Sequence, residues 1–373
     1  MPFLIALCVA YWKRKIMSSG CKGIVQKSSA CLTMGSVTTI CTDLARKLIS
    51  QDELEETRKA IRDCQTAGVN VKFISQDDIS VVRAVAIEFG ILTENSEAAM
   101  VKGEDFRNFS EEERIGMVDQ ITAIGNCLPS DKLQITAIGN CLPSDKLLLM
   151  QCLKKKGNVV ALTGANDLHD TPALRQADIG FVKADWGTKM ARDYLDLMVW
   201  DGTWSPVPNI IRCGRCSYEN IQKFIQLELT MILSGLSTTT ILTISSGEAL
   251  MTPIQVSRTN LIVPVLGGMA VITEPPGEKL MNKPPVQKTE PLITKAMRRN
   301  IIAQVVYQVV IFVIVQFRGQ VIYGTGQKLR KAMVFNSFVL LQVFNQFNSI
   351  PGRLRRLTCL KTFIRTIGFG WLH

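Results

Sequence analysis

Two hydrophobic patterns divide the chain. Up to about residue 224, apolar runs are short and alternate with charged helical stretches. Val69–Ser75 alternates and then runs apolar, as a buried strand does. Val81–Phe89 has a helical pattern. The run Asn158–Leu162 ends in Thr163-Gly164; a small acidic turn follows, and Thr171-Pro172-Ala173-Leu174 reads as a helix start. Ser50/Glu53 and Ser110/Glu113 have the spacing of capping boxes, and Gly68 suits the end of the first of those helices. Strand, helix, strand, helix at this spacing predicts a parallel sheet with helices on its faces.

From residue 225 the pattern changes. Leu229–Ser246, Thr259–Thr273, Asn300–Phe317 and Ala332–Gly352 contain no Asp, Glu, Lys or Arg. Runs of 15 to 21 residues fit helices that cross a membrane. Residues 1–12 are also uncharged, with a basic stretch after them; they are too short to span and read as the second half of a membrane helix. That order is the reverse of a signal peptide.

The chain has 373 residues, room for two or three domains. Its hydrophobic content, 47%, lies between a soluble enzyme and a polytopic membrane protein. The net charge of +11 comes from lysines and arginines that flank apolar runs. They do not cluster with aromatics, which argues against a nucleic-acid partner. Six basic residues in 274–299 and five after Gly352 place those loops in the cytosol, while the four in 318–331 run against that rule. Eleven scattered cysteines do not form a disulfide framework, and Cys213/Cys216 has metal or redox spacing without a second pair.

Gln120–Leu133 reads QITAIGNCLPSDKL, and Gln134–Leu147 repeats it letter for letter. A perfect 14-residue tandem copy is not a solenoid repeat. Both copies cannot enter the sheet without breaking its register, so one is expected to loop out.

The stretch VVALTGANDLHDTPALRQADI, 159–179, resembles the hinge motif T-G-D-G-x-N-D-x-P-A-L of P-type cation-pumping ATPases. Thr163, Gly164, Asp170, Pro172, Ala173 and Leu174 match; Ala165 replaces a magnesium-binding aspartate, and Asp167 is the remaining magnesium candidate. His169 reads as a solvent-facing loop residue. Further segments are similar to calcium pumps, above all the plant autoinhibited, plasma-membrane-type, calmodulin-regulated subfamily. SACLTMGSVTTICTD, 29–43, resembles the approach to the phosphorylation motif D-K-T-G-T, with Asp43 at the phosphorylated position but Leu44-Ala-Arg46 after it. A carboxylate there attacks the γ-phosphorus of ATP. Arg58–Leu92 resembles the segment after the nucleotide domain, and fewer than 20 residues separate it from Asp43. Asp77 matches the T-G-D-N turn, with helix capping as its structural alternative. Pro143-Ser-Asp145-Lys146 resembles the P-x-D-K motif, and Lys146, 17 residues before Thr163, puts the second repeat in register. Cys213–Thr230 is similar to the stalk entering the fifth membrane helix, and Gln255–Pro276 to the sixth, where N-x-x-x-D becomes Asn260 and Pro264. Ala296–Phe317 and Val334–Asn348 resemble the seventh and eighth.

The resemblance implies an incomplete haloacid-dehalogenase-like α/β phosphorylation domain followed by an α-helical transmembrane C-terminal domain. The expected parts are 1–12, part of a fourth transmembrane helix; 20–224, the phosphorylation domain with the nucleotide domain deleted after 43 and the duplication at 120–147; 225–352, about four membrane helices (229–246, 254–273, 300–317, 332–350); and a divergent basic tail, 353–373. It assigns Asp43, Lys146, Thr163 and Gly164 to catalysis, Asp77 and Asp170 to the phosphate and nucleotide side, Asp167 to magnesium and Asn260 to calcium. Magnesium and ATP are the implied cofactors and calcium the cargo. Membrane lipid, intact pumps and calmodulin are the implied partners, and a plasma membrane or endomembrane the location. The substitutions and the internal deletion point to a non-catalytic relic. The alternatives are a regulator that associates with intact pumps and a stand-alone haloacid-dehalogenase-like phosphatase.

Overall fold

The computed structural model describes residues 2–18, 24–25, 30–42, 50–92, 99–118, 135–139, 142–163, 171–183, 197–200, 204–246, 252–287, 290–323 and 327–349. They fall into two compact units. The sheet unit takes its described residues from Val9–Tyr218 and Pro275–Glu290; the helical unit takes its own from Met1–Cys8, Glu219–Glu274 and Pro291–His373.

The sheet unit holds eight strands, β1 (Ile24–Val25), β2 (Thr39–Thr42), β3 (Asn70–Ile74), β4 (Ala99–Lys102), β5 (Ile135–Gly139), β6 (Val160–Thr163), β7 (Ile179–Lys183) and β8 (Leu197–Trp200), in the spatial order β1-β8-β7-β6-β2-β3-β5-β4. All pairs are parallel except β1 with β8. The central strands β2 and β6 are buried at every residue, which explains their continuous apolar character.

Crossover helices connect the strands. They are α2 (Ala30–Gly35), α3 (Gln51–Thr66), α4 (Ile79–Glu88), α5 (Gly103–Asn108), α6 (Glu111–Val118), α7 (Pro143–Lys155) and α8 (Thr171–Gln176), preceded in the chain by α1 (Pro2–Ser18). Both capping boxes form. Ser50 and Glu53 exchange bonds at the start of α3, and Ser110 and Glu113 at the start of α6. Gly68 closes α3 with φ +73°, a left-handed conformation that glycine adopts without strain. The second copy of the tandem repeat supplies β5 and the start of α7. The first lies wholly outside the described residues, and so does the expected loop.

Four long helices follow: α9 (Val207–Ser246), α10 (Pro253–Ile272), α11 (Lys295–Tyr323) and α12 (Gln327–Ser349). Three of them, over Val207–Ser245, Ile254–Ile272 and Lys295–Phe317, are long and apolar enough to cross a membrane. In α12 the residues Asn336, Gln342, Asn345 and Gln346 dilute the apolar run. The expected span 229–246 is the end of a continuous 40-residue helix that starts 22 residues earlier. α1 likewise runs past residue 12 to Ser18.

The first part of α9 belongs to the sheet unit and is packed tightly there. A Cβ at Gly35 would lie 2.5 Å from the Gly214 carbonyl carbon, so α2 and α9 touch backbone to backbone. At the next residue, the buried Arg215 guanidinium donates to the carbonyls of Ala67 (2.7 Å), Lys283 (2.6 Å) and Leu280 (3.4 Å). It ties the end of α3 and the 3-10 turn Glu278–Asn282 to α9.

Candidate functional site

In an open parallel sheet, ligands bind outside the carboxyl ends of the strands where the strand order reverses. Here the chain leaves β2 toward β3 on one side and returns to β6 on the other. Thr42 and Thr163 end these two strands in register. Both are buried, and the Thr163 hydroxyl donates to the Thr42 hydroxyl at 2.8 Å. Asp43 follows Thr42 directly in the sequence. Asp43, Gly164, Asp167, His169 and Asp170 lie outside the described residues, so their side chains take no part in the geometry given below.

The neighbouring parallel strands bring the other sequence candidates to the same edge. After β3, the Ser75 hydroxyl donates to the Asp77 carboxylate at 3.0 Å and accepts the Asp77 N–H at 3.3 Å. The capping alternative for Asp77 needs correction. The residue at the start of α4 is Asp78, one further along, and its side chain makes no cap bond. After β5, Lys146 sits in the first turn of α7, only 2% exposed, so it is not a solvated surface lysine. Asp145 beside it is fully buried; it accepts the Leu142 N–H at 2.8 Å and pairs with Arg107 at 3.3 Å. This pairing fixes the start of α7 and hence the place of Lys146.

Sequence reasoning missed Thr42 and Lys72. Thr42 was legible only as the neighbour of Asp43. Lys72 is buried in β3 opposite Cys41 of β2. Burial lowers the pKa of its ammonium and pushes the Cys41 thiol up to about 12. Cys213 and Cys216 are buried thiols on α9. Among the described residues, no three His, Cys, Asp or Glu side chains gather closely enough to hold one metal ion. The described part of this edge therefore offers hydroxyls, the Asp77 carboxylate and one lysine, but no cluster of three metal-ligating side chains.

In the helical unit, Asn260 and Pro264 lie one turn apart in α10. The Asn260 side-chain oxygen is buried and accepts no hydrogen bond. Proline offers no side-chain ligand, so the acidic half of the expected pair is gone. A second polar group was missed because glutamine leaves a run uncharged. Gln342 of α12 donates to Ser234 of α9 and to the Gln308 carbonyl oxygen of α11, both at 3.0 Å. Gln346 donates to the Val263 carbonyl of α10 at 2.6 Å.

Comparison with known proteins follows the same division. Residues 248–359 match the family model described as cation transporting ATPase, C-terminus. Calcium-transporting ATPase 12, plasma membrane-type, of Arabidopsis thaliana is 36% identical over 372 residues, which is 93% of this chain and 34% of that protein. Calcium-transporting ATPase 10 of the same plant is 40% identical over 77% of this chain and 26% of its own length. Calcium-transporting ATPase 7 of Oryza sativa subsp. japonica is 38% identical over 79% of this chain and 27% of its own length. The chain thus spans about a third or less of the relatives it matches. It carries a cation-transporting ATPase C-terminal domain and is homologous, over most of its length, to the P-type calcium-transporting ATPases of plasma-membrane type.

Proposed function

We propose that this chain is a membrane-embedded relative of calcium pumps that does not complete the pumping cycle by itself. The sheet unit is read as a haloacid-dehalogenase-like phosphorylation domain on the cytosolic side. The helical unit is read as its multi-pass anchor in lipid. The observation that carries the reading is the connection between β2 and α3. Strand β2 ends at Thr42 and α3 begins at Gln51, so whatever binds ATP between them has only residues 43–50. That stretch reads DLARKLIS and lacks the K-T-G that follows the phosphorylated aspartate in the resemblance. Ala165 and Pro264 remove one further carboxylate each from the magnesium and calcium sides.

What the chain does retain fits a phosphate-facing edge. Thr42 and Thr163 meet at their strand ends and Lys146 opens the helix that follows β5; hydroxyl and ammonium donors of this kind stabilise charge on a phosphoryl group. Magnesium, if bound, would supply further charge neutralisation there, with Asp167 as its candidate carboxylate. No step is assigned to it.

The test uses the full chain in vesicles. Incubation with γ-labelled ATP and magnesium at low temperature, followed by an acid gel, is expected to show no labelled protein. Calcium uptake driven by ATP is expected to stay at the level of empty vesicles. A label that disappears in Asp43→Asn, or uptake above that level, overturns the reading.

A further inference from the structure

Helix α11 carries polar groups of two kinds. Gln308 and Gln316 lie on its buried face with Ile301 and Phe312. Asn300, Gln304 and Tyr307 do not. Asn300 is exposed, Gln304 half-buried and Tyr307 56% exposed. At about 100° per residue the three fall within an arc of about 60° and form one ridge along the helix. Ile302, Val306 and Val310 are exposed as well, but further round the helix. Among the described residues, none of the three polar side chains of the ridge has a hydrogen-bond partner.

The ridge enters the apolar part of the helix. Gln304 and Tyr307 follow Lys295 by about 13 and 18 Å along the axis, inside the span Lys295–Phe317. A hydrocarbon core about 30 Å thick puts Tyr307 near its middle. Lipid offers an amide or a phenol no hydrogen bond. Hydroxyls on the neighbouring helices solve this within their own backbone. Thr230 donates to the Gln226 carbonyl at 2.8 Å and Thr259 to the Gln255 carbonyl at 3.0 Å, each one turn back. The Tyr307 hydroxyl stands at the far end of a ring and cannot reach back in this way, and the Gln304 amide does not.

We propose that this ridge is a docking surface for a second copy of the chain, related to the first by a two-fold axis along the membrane normal. Copies inserted in the same sense hold Asn300, Gln304 and Tyr307 at the same depths, so each group meets its own counterpart. Two amides and a phenol hydroxyl each donate and accept, which makes the ridge complementary to itself. A partner of another sequence would have to match all three depths. Charge permits the pairing. Lys295, Arg298 and Arg299 point at least about 100° away from Asn300 and stay off the axis. The inference rests on the helical unit being an anchor in lipid, and not on phosphorylation or calcium transport.

The experiment reconstitutes full chains carrying donor or acceptor fluorophores in lipid vesicles and follows energy transfer against the protein-to-lipid ratio. Transfer is expected to rise to a plateau and to fall when unlabelled chain is added. Gln304→Leu combined with Tyr307→Phe is expected to weaken association about tenfold, because each lost bond is lost between two copies at once. Val306→Leu, on the apolar stripe, is expected to leave association unchanged. Transfer no higher than that of randomly distributed chains overturns the proposal. So does association that survives the double variant, or that needs an intact pump in the same vesicle. A monomer whose unfolding midpoint falls in the double variant would place the ridge against the chain's own residues, and overturns it too. A chain that alkaline carbonate strips from the vesicles defeats the anchor reading, whereas an inserted monomer defeats only the dimer.

Discussion

The two units place their side chains in opposite ways. Among the described residues of the sheet unit, the only large apolar side chains that are exposed are Met17 and Leu142. The helical unit exposes many, with Ile244 80% and Ile254 71% accessible, while Ser234, Gln308 and Gln342 are fully buried. On α11, Ile302, Val306, Val310 and Ile314 form an exposed stripe at four-residue spacing. Water explains the first unit: apolar area is removed from it and charges stay in it. It does not explain the second, where polar groups are inside and apolar ones outside. That arrangement suits lipid, which accepts apolar surface freely and leaves glutamine side chains to find each other. One chain therefore obeys two solvents. The polar residues inside it mean different things in each unit: Asp145 fixes the start of α7, and Gln342 bonds α12 to α9 and α11.

The comparison predicts where crowding hurts. In the sheet unit, the α2–α9 crossing leaves no room for a Cβ at Gly214, whose neighbours are the rigid backbone atoms of Gly35 and Cys31. Gly214→Val is expected to cost about 3 kcal/mol. In the helical unit, a Cβ at Gly235 meets only Phe338 at 3.6 Å and Val256 at 3.9 Å, ordinary contacts. Gly235→Ala is expected to leave stability nearly unchanged. Denaturant midpoints of the two variants check the difference, and equal losses would break it.

A smaller loss is expected at Arg215. Its guanidinium satisfies three backbone carbonyls at the edge of the sheet unit. Arg215→Met keeps much of the stem's apolar volume but removes every donor. Hydrogen bonds from a charged group contribute about 1.5 to 3 kcal/mol each when broken singly, but burying the charge offsets part of that. A net loss of about 2 kcal/mol is expected. Amide exchange should quicken around Ala67 and Lys283 and stay unchanged in α11 and α12. Faster exchange throughout the chain would show that Arg215 does not act locally.

Much of the sheet unit was legible because its signals are local. The Ser50/Glu53 and Ser110/Glu113 boxes, the strand at 70–74 and the strand ending at Thr163 need only neighbouring residues to be read. The Thr42–Thr163 contact was not, since it joins strands that lie 121 residues apart in the chain. β2 itself was hidden in a segment read only by resemblance. The start of α9 was missed for another reason. Arg212, Arg215, Glu219, Lys223 and Glu228 interrupt the apolar pattern, yet Arg215 and Glu228 are buried and do not end the helix. In α12 the difficulty is reversed. Its residues carry no charge from Ala332 onward, so the run looked uniformly apolar, while Gln342 and Asn345 are buried polar groups.

The weakest expected effect sharpens the comparison most. If Gln342 is helical glue, its value lies in its bonds to Ser234 and Gln308 and not in its bulk. Gln342→Leu keeps a similar volume beside Phe312 and Phe338, whose rings sit 6.0 Å apart in the adjoining apolar cluster. In water a buried leucine there would match or exceed a buried glutamine. In lipid, interhelical hydrogen bonds contribute about 0.6 kcal/mol on average and up to about 1.7. Gln342→Leu is therefore expected to lose about 1 kcal/mol in detergent or bicelles. Gln308→Leu is expected to lose a similar amount, and the double variant less than the sum, because both remove one shared bond. Strict additivity would mean that the 3.0 Å bond between the two amides contributes nothing. A stabilised Gln342→Leu would mean that the interior of the helical unit follows the same rule as the interior of the sheet.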